Sequence, residues 1–143
     1  MPSAAVEQVV HARLILSTRT SAGLRVALRY RVSDPLAVRM GFPAEFSLDE
    51  ARGPEDDGEV EWVFARRLLA DGLDLPTGLG DVHVRPGQGR YVLVELRSPD
   101  GVALLRFGAA DLRRFLWHSY LVVAEGREHQ HLDPDRELAE LLG

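Results

Sequence analysis

Cysteine is absent from the 143 residues. This excludes a disulfide framework, a thiol nucleophile and any thiolate metal site, and it fits a reducing compartment. Lysine is absent too, so all 17 basic residues are arginine, a skew that reads as GC-rich coding more than as chemistry. No apolar run approaches the roughly 20 residues that a membrane-spanning helix needs. The amino-terminal MPSAAVEQVVHARLIL has no basic region ahead of its apolar part, which is unlike a secretory signal. A cytoplasmic protein without direct membrane insertion is therefore expected. The phosphate-binding patterns GxGxxG and GK[ST] and the nucleophile pattern GxSxG are missing as well, and with them any motif-level support for a nucleotide cofactor or a serine nucleophile.

What is present suits an ordinary globular chain. The length fits one domain spanning 1–143, able to bury a core without cross-links. The apolar share of 45% and charged share of 27% are normal. A net charge of −5 works against sequence-independent nucleic-acid binding, which depends on neutralising phosphates. The charge is unevenly spread. Arg13, Arg19, Arg25, Arg29, Arg31 and Arg39 crowd the first third, whereas Glu45 to Glu61 holds Asp49, Glu50, Glu55, Asp56, Asp57 and Glu59 against Arg52 alone. One basic face and one acidic loop are the expectation.

Period-two alternation marks strands at Val10–Leu16 and at Leu24–Val32, the latter with Leu24, Val26, Leu28, Tyr30 and Val32 on one face and Arg25, Ala27, Arg29 and Arg31 on the other. The two read as an antiparallel pair. Asp34 and Pro35 break the chain before a third strand at Ala37–Phe42. The acidic segment 43–58 reads as a solvated loop, and Val60, Trp62 and Phe64 form a fourth strand. ARRLLADG is a short helix with Gly72 in the place of a left-handed C′ residue. Leu79–Arg85, Tyr91–Arg97 and Val102–Phe107 form a meander joined by PGQG and SPDG turns. Leu112, Phe115, Leu116 and Ser119 or Tyr120 give the following helix its buried stripe, predicted to lie across the sheet. Asp133 and Pro134 open a short terminal helix.

The glycines of DGLDLPTGLGDVHVRP follow a helix and precede a strand. This is the reverse of a phosphate loop, in which the helix amino terminus meets the anion. EHQH at 128–131 suggests a metal pair in His129 and His131, but without a third placed ligand a surface or helix-entry role is the stronger reading. The arginine face of Arg25, Arg29 and Arg31 lacks stacking aromatics, because Tyr30 falls on the apolar side. It reads better as a solvated or protein-binding face than as a nucleic-acid track.

Three strings, LRYRVSDPLAVRMGF, VEWVFARRLLADGLDLPTGLGDVHVRP and GREHQHLDPDRELAELL, resemble corresponding segments of the SsgA-like sporulation and cell-division proteins of actinomycetes, in order from Leu14 to Leu142. The Trp62–Pro86 segment is the most specific. The resemblance implies a β-rich α+β fold like that of the Whirly-type single-stranded nucleic-acid-binding proteins. It implies a non-enzymatic regulator with no catalytic residue, cofactor or metal, assembled as a homotrimer or similar oligomer at the cell septum. Its expected partners are the tubulin-like division protein FtsZ or sister SsgA-like proteins, and nucleic acid is not an expected ligand. The 43–59 segment is longer and more acidic than the family's compact turn. From charge alone, the candidate partner contacts are Arg25, Arg29, Arg31, Asp56 and Asp57. The rival class is a single-stranded nucleic-acid binder.

Overall fold

Alternating apolar and polar residues draw the first part of the chain into long strands, which a computed structural model describes over residues 4–43 and 58–132. β1 (Ala5–Ile15) and β2 (Ser21–Arg31) pair antiparallel along their whole length, from Ala5 opposite Arg31 to Ile15 opposite Ser21. The first strand thus starts five residues before the expected Val10, because β2 offers partners for the full run. It stops short of Leu16, which lies exposed in the turn. The inward side chains Val10, Ala12, Leu24, Val26, Leu28 and Tyr30 are those expected from the alternation.

β3 (Asp34–Pro43) begins at the very residues expected to break the chain. The turn is at Val32–Ser33 instead. Pro35 is accommodated next to a register shift between Arg29 and Arg31, the kind of place where a ladder tolerates proline, and its carbonyl accepts the Tyr30 hydroxyl at 2.9 Å. β4 (Glu59–Ala65) follows on the far side of the acidic segment, most of which lies outside the described residues.

The predicted strand Leu79–Arg85 is two strands, β5 (Thr77–Leu79) and β6 (Val82–Pro86). Gly80, with φ +62°, takes the left-handed conformation that folds them into a hairpin. β7 (Tyr91–Ser98) and β8 (Gly101–Gly108) complete the meander, with the PGQG and SPDG turns where expected. The predicted terminal helix lies outside the described residues.

All eight strands form one antiparallel sheet in the order β4-β3-β2-β1-β8-β7-β6-β5. Its two edge strands, β4 and β5, are consecutive in the chain. They are joined through α1 (Arg66–Gly72), a helix of seven residues and hence only about 10 Å long. α1 packs on β3 and β4 from one edge and on β5 and β6 from the other. A flat sheet of eight strands would hold those edges far apart, so the sheet curls until both reach α1. α2 (Ala109–Val122) lies in the concave side against β1, β2 and β8, burying Leu112, Phe115, Leu116 and Ser119.

Gly72 has a different role from the one its position suggested. Its φ is not positive, and the chain continues through Leu73 in a right-handed conformation. The reason for glycine is the close approach of α1 to β6: a Cβ here would overlap the Val84 side chain and meet its carbonyl oxygen at 3.0 Å. Gly72→Ala is therefore expected to lower stability by about 1–3 kcal/mol, as over-packing does. In a Val84→Gly background, which removes both overlapping carbons, Gly72→Ala should cost less in urea unfolding than in the parent, and an equal cost in both would refute the contact.

Candidate functional site

The sequence singled out the arginine face of β2, and the register shows what surrounds it. Arg29 stands opposite Glu7 of β1 and Arg39 of β3, and Arg39 opposite Val63 of β4. Arg29 donates to Glu7 Oε2 at 3.0 Å and to Glu59 Oε2 at 2.9 Å, pairs again with the other Glu59 oxygen, and lies 3.3 Å from Glu61 Oε2. Arg39 continues the chain of charges to Glu61 and Asp34, at 2.9 Å each. Gly41 opens the slot in which the Glu59 carboxylate lies, since a side chain there would occupy the same space. The hydrogen bond from Arg29 is the main cause that holds Glu59 below the usual carboxylate pKa, and the bonds to Glu59 and then Glu7 hold Arg29 above the usual guanidinium value.

The five predicted contact residues therefore separate. Arg29 is committed to three carboxylates. Arg25 and Arg31 are exposed on the same face and have no ion-pair partner among the described residues. Asp56 and Asp57 lie outside the described residues. His129 and His131 sit in a 3-10 turn, Glu128–His131, rather than in the extended segment that would aim them to one side. Among the described residues no group of three His, Asp or Glu side chains could hold a metal ion.

One residue that the sequence reading passed over organises the interior. Val60, Trp62 and Phe64 point inward, and two positions on Arg66 keeps that period across the strand-to-helix junction. Arg66 is 2% exposed. Its Nη1 donates to the Val123 carbonyl at 2.8 Å and the Ser119 carbonyl at 3.3 Å, and its Nη2 donates to Glu128 Oε1 at 2.7 Å. The guanidinium carbon lies 4.6 Å from the centre of the Tyr30 ring and 4.8 Å from that of Tyr120. α2 has no basic residue in its last turn, so the cation that complements the negative end of its dipole comes from α1. Burial pushes the Tyr30 hydroxyl pKa up, against the opposing Arg66 charge. Burial also pushes Glu128 upward, but the hydrogen bond from Arg66 and bonds to nearby backbone outweigh it and leave the carboxyl below its ordinary value.

Fold and charge pattern together define a class: an α+β protein built on one curled antiparallel sheet, closed by a short helix and carrying arginine–carboxylate pairs on its outer face. Comparison identifies the family. A profile described as "Streptomyces sporulation and cell division protein, SsgA" matches residues 24–128. The sporulation-specific cell division protein SsgB of Salinispora tropica is 44% identical over 140 residues, 96% of this chain and 92% of that protein. SsgB of Streptomyces coelicolor is 44% identical over 137 residues, covering 93% and 92%. Among solved structures, an SsgA-like sporulation-specific cell division protein from Thermobifida fusca superimposes with a TM-score of 0.78 at 36% identity, covering 96% of each chain. An SsgB structure from work on longitudinal cell division during sporulation of Streptomyces coelicolor gives 0.77 at 40% identity over 90% of this chain and 96% of that one. The chain belongs to the SsgA-like family of sporulation cell-division proteins.

Removing Arg66 while leaving the Glu128 carboxylate and the Val123 carbonyl without their donor should cost about 3–5 kcal/mol, so Arg66→Met is expected to unfold at far lower urea. Arg66→Met with Glu128→Leu should recover only part, because the Val123 carbonyl stays without its donor. A depressed folded-state pKa makes the Glu128 contribution fully present above the carboxyl's unfolded value and lost as pH falls through the lower folded value. Stability measured from pH 6 down to pH 3 should therefore fall less steeply in Glu128→Gln than in the parent, and parallel curves would refute the pairing.

Proposed function

We propose that this chain is a non-catalytic, oligomeric adaptor of sporulation-specific septation, acting in the cytoplasm at septum sites to recruit or position the FtsZ division machinery. The observation that carries this reading is similarity to SsgB proteins along more than nine-tenths of the chain. The ionisable clusters support a binding role over chemistry, for their arginines and carboxylates saturate one another on the sheet face and at Arg66. Such groups hold shape, and their exposed pairs contribute about 0–1 kcal/mol each.

Two surfaces are suited to partners. Arg25 and Arg31 stand exposed and free of ion pairs among the described residues. On α2, Trp117 is 63% exposed and Leu121 68% exposed. They are four residues apart and so adjacent on the helix surface, and an exposed tryptophan beside a second large apolar residue is the composition of a binding hot spot. A homotrimer or similar oligomer would present each surface several times to a filament, converting weak contacts into a stable tether through effective concentration.

The single-stranded nucleic-acid reading loses its stacking platform on β2, since Tyr30 is buried behind the arginines. Purified chain is expected to retain FtsZ, or a sister SsgA-like protein, in pull-down and co-sedimentation. Trp117→Ser with Leu121→Ser should weaken that capture about tenfold or more, the scale of lost hot spots, while leaving the thermal midpoint unchanged. Recovery of neither partner would overturn the adaptor reading. Tight, steeply salt-dependent binding of a labelled oligonucleotide would favour the rival.

A further inference from the structure

The two halves of the outer sheet face treat their arginines differently. On β2 to β4 each of Arg29 and Arg39 is matched by carboxylates. Where β1 meets β8, Arg13 stands directly opposite Arg106, and like charges in that relation are destabilising. The one carboxylate among the outward residues of β7 and β8, Glu95, is already taken by Arg97 at 3.1 Å and Arg85 at 3.3 Å. Arg13 turns away to the Ser21 hydroxyl and carbonyl, 3.0 Å each. Arg106 lies 4.6 Å over the centre of the Tyr91 ring, and its buried Nε has no acceptor among the described residues.

Arg106 and Tyr91 form one wall of a concavity of about 690 Å³ between the β1–β2 turn and the β6–β7 turn. Ile15, Leu93 and Leu104 supply its apolar floor, Arg19 a second cation and Ser17 to Ser21 a rim of hydroxyls; among the described residues no carboxylate lines it. In a chain of net charge −5 this is a local field of opposite sign. Charge complementarity calls for a carboxylate-bearing ligand: a guanidinium fixed by a tyrosine face presents its fork to a carboxylate in bidentate geometry. The leucine floor calls for an apolar side chain beside that carboxylate. A nucleic-acid strand fits less well, because one exposed tyrosine and two arginines make no track and the acidic molecule repels a polyanion.

We infer that this concavity, centred on Arg106 and Tyr91, is a docking site for an acidic peptide segment of a partner protein, with aspartate or glutamate alternating with leucine-like residues. The site deepens the adaptor reading and rests on it for the existence of a protein partner.

Fluorescence anisotropy of the full chain against four labelled probes tests the site: an aspartate–leucine octapeptide, its lysine–leucine counterpart, octathymidylate, and a peptide copying the chain's own acidic residues 49–57. The aspartate–leucine peptide should bind, and Arg106→Glu and Tyr91→Ala should each weaken it about tenfold or more. Arg106→Gln, which keeps most of the aliphatic stem and a polar end but removes the charged fork, should weaken it in a chain whose thermal midpoint is retained. Arg67→Glu, a charge change on exposed α1, should have no effect. Equal binding of the lysine peptide, tighter binding of octathymidylate or of the chain's own acidic segment, or indifference to Arg106→Gln and Tyr91→Ala together would overturn the assignment. Capture of FtsZ by a chain that does not bind the aspartate–leucine peptide would remove this site and leave the adaptor reading standing; loss of both would remove both.

Discussion

Arg66 sits where β4 passes into α1, at the junction that ties the two edges of the sheet together. Its guanidinium reaches the carbonyls of Ser119 and Val123 at the end of α2, the carboxylate of Glu128 beyond it, and the faces of Tyr30 and Tyr120. Five elements of structure, β2, β4, α1, α2 and the 3-10 turn, thus converge on one buried cation. The geometry of closure explains why a charge is tolerated there. At the end of α2 the Ser119 carbonyl already accepts the Val123 N–H at 2.9 Å, but the Val123 carbonyl takes its bond from Arg66, and a buried carbonyl left unsatisfied costs about 1–3 kcal/mol. An arginine can satisfy several acceptors at once through a planar fork while stacking on aromatic rings, which a lysine cannot do.

The centre of the β2–β4 outer face obeys the same rule of local compensation, and the β1–β8 seam does not. Gly41 makes room for the Glu59 carboxylate, which joins Glu7 and Glu61 around Arg29, so Arg29 and its neighbour Arg39 are neutralised by acids from β1, β3 and β4. At the β1–β8 seam the arrangement is different. Arg13 and Arg106 are brought together only by the closing of the two meanders, and there the sheet contributes a tyrosine and leucines but no acid.

Much of the fold was legible because strands buried on one face carry a period of two that needs no tertiary information. Leu24 to Tyr30, Val92 to Leu96 and Ala103 to Phe107 follow it faithfully. Turns were legible where glycine or proline was required, as at Gly89 and Gly101. What could not be read locally depended on partners distant in sequence. Ala5 to Val9 became strand because β2 extends alongside them, Asp34 and Pro35 because a register shift admits a proline, and Gly72 was demanded by Val84, twelve residues on. The candidate site divides in the same way. The arginine face of β2 was visible as a pattern, but that Arg29 is spent on ion pairs while Arg25 and Arg31 have none among the described residues depends on where β1 and β4 place their glutamates. Arg66 carried a signal, the continued inward period after Phe64, which the helix-forming string ARRLL masked. Arg106 and Tyr91 carried none, since nothing in either strand alone reveals two arginines facing each other across the seam.

The position of β1 draws these observations together. The family profile begins at Leu24, on β2, yet β1 is a central strand, flanked by β2 and β8, and its outward side chains decide the character of both halves of the sheet face. Glu7 completes the neutralisation of Arg29, and Arg13, on the same strand and the same face, leaves Arg106 without a counter-charge. Glu7 and Arg13 are six residues apart, about 20 Å along an extended strand at 3.3 Å per residue. A single strand therefore sets a closed, self-paired surface and an open, cationic one within one molecular face. The interior fixed by Arg66 holds the curl that puts them there, so changes in outward residues of β1 can alter what the molecule binds without disturbing how it folds.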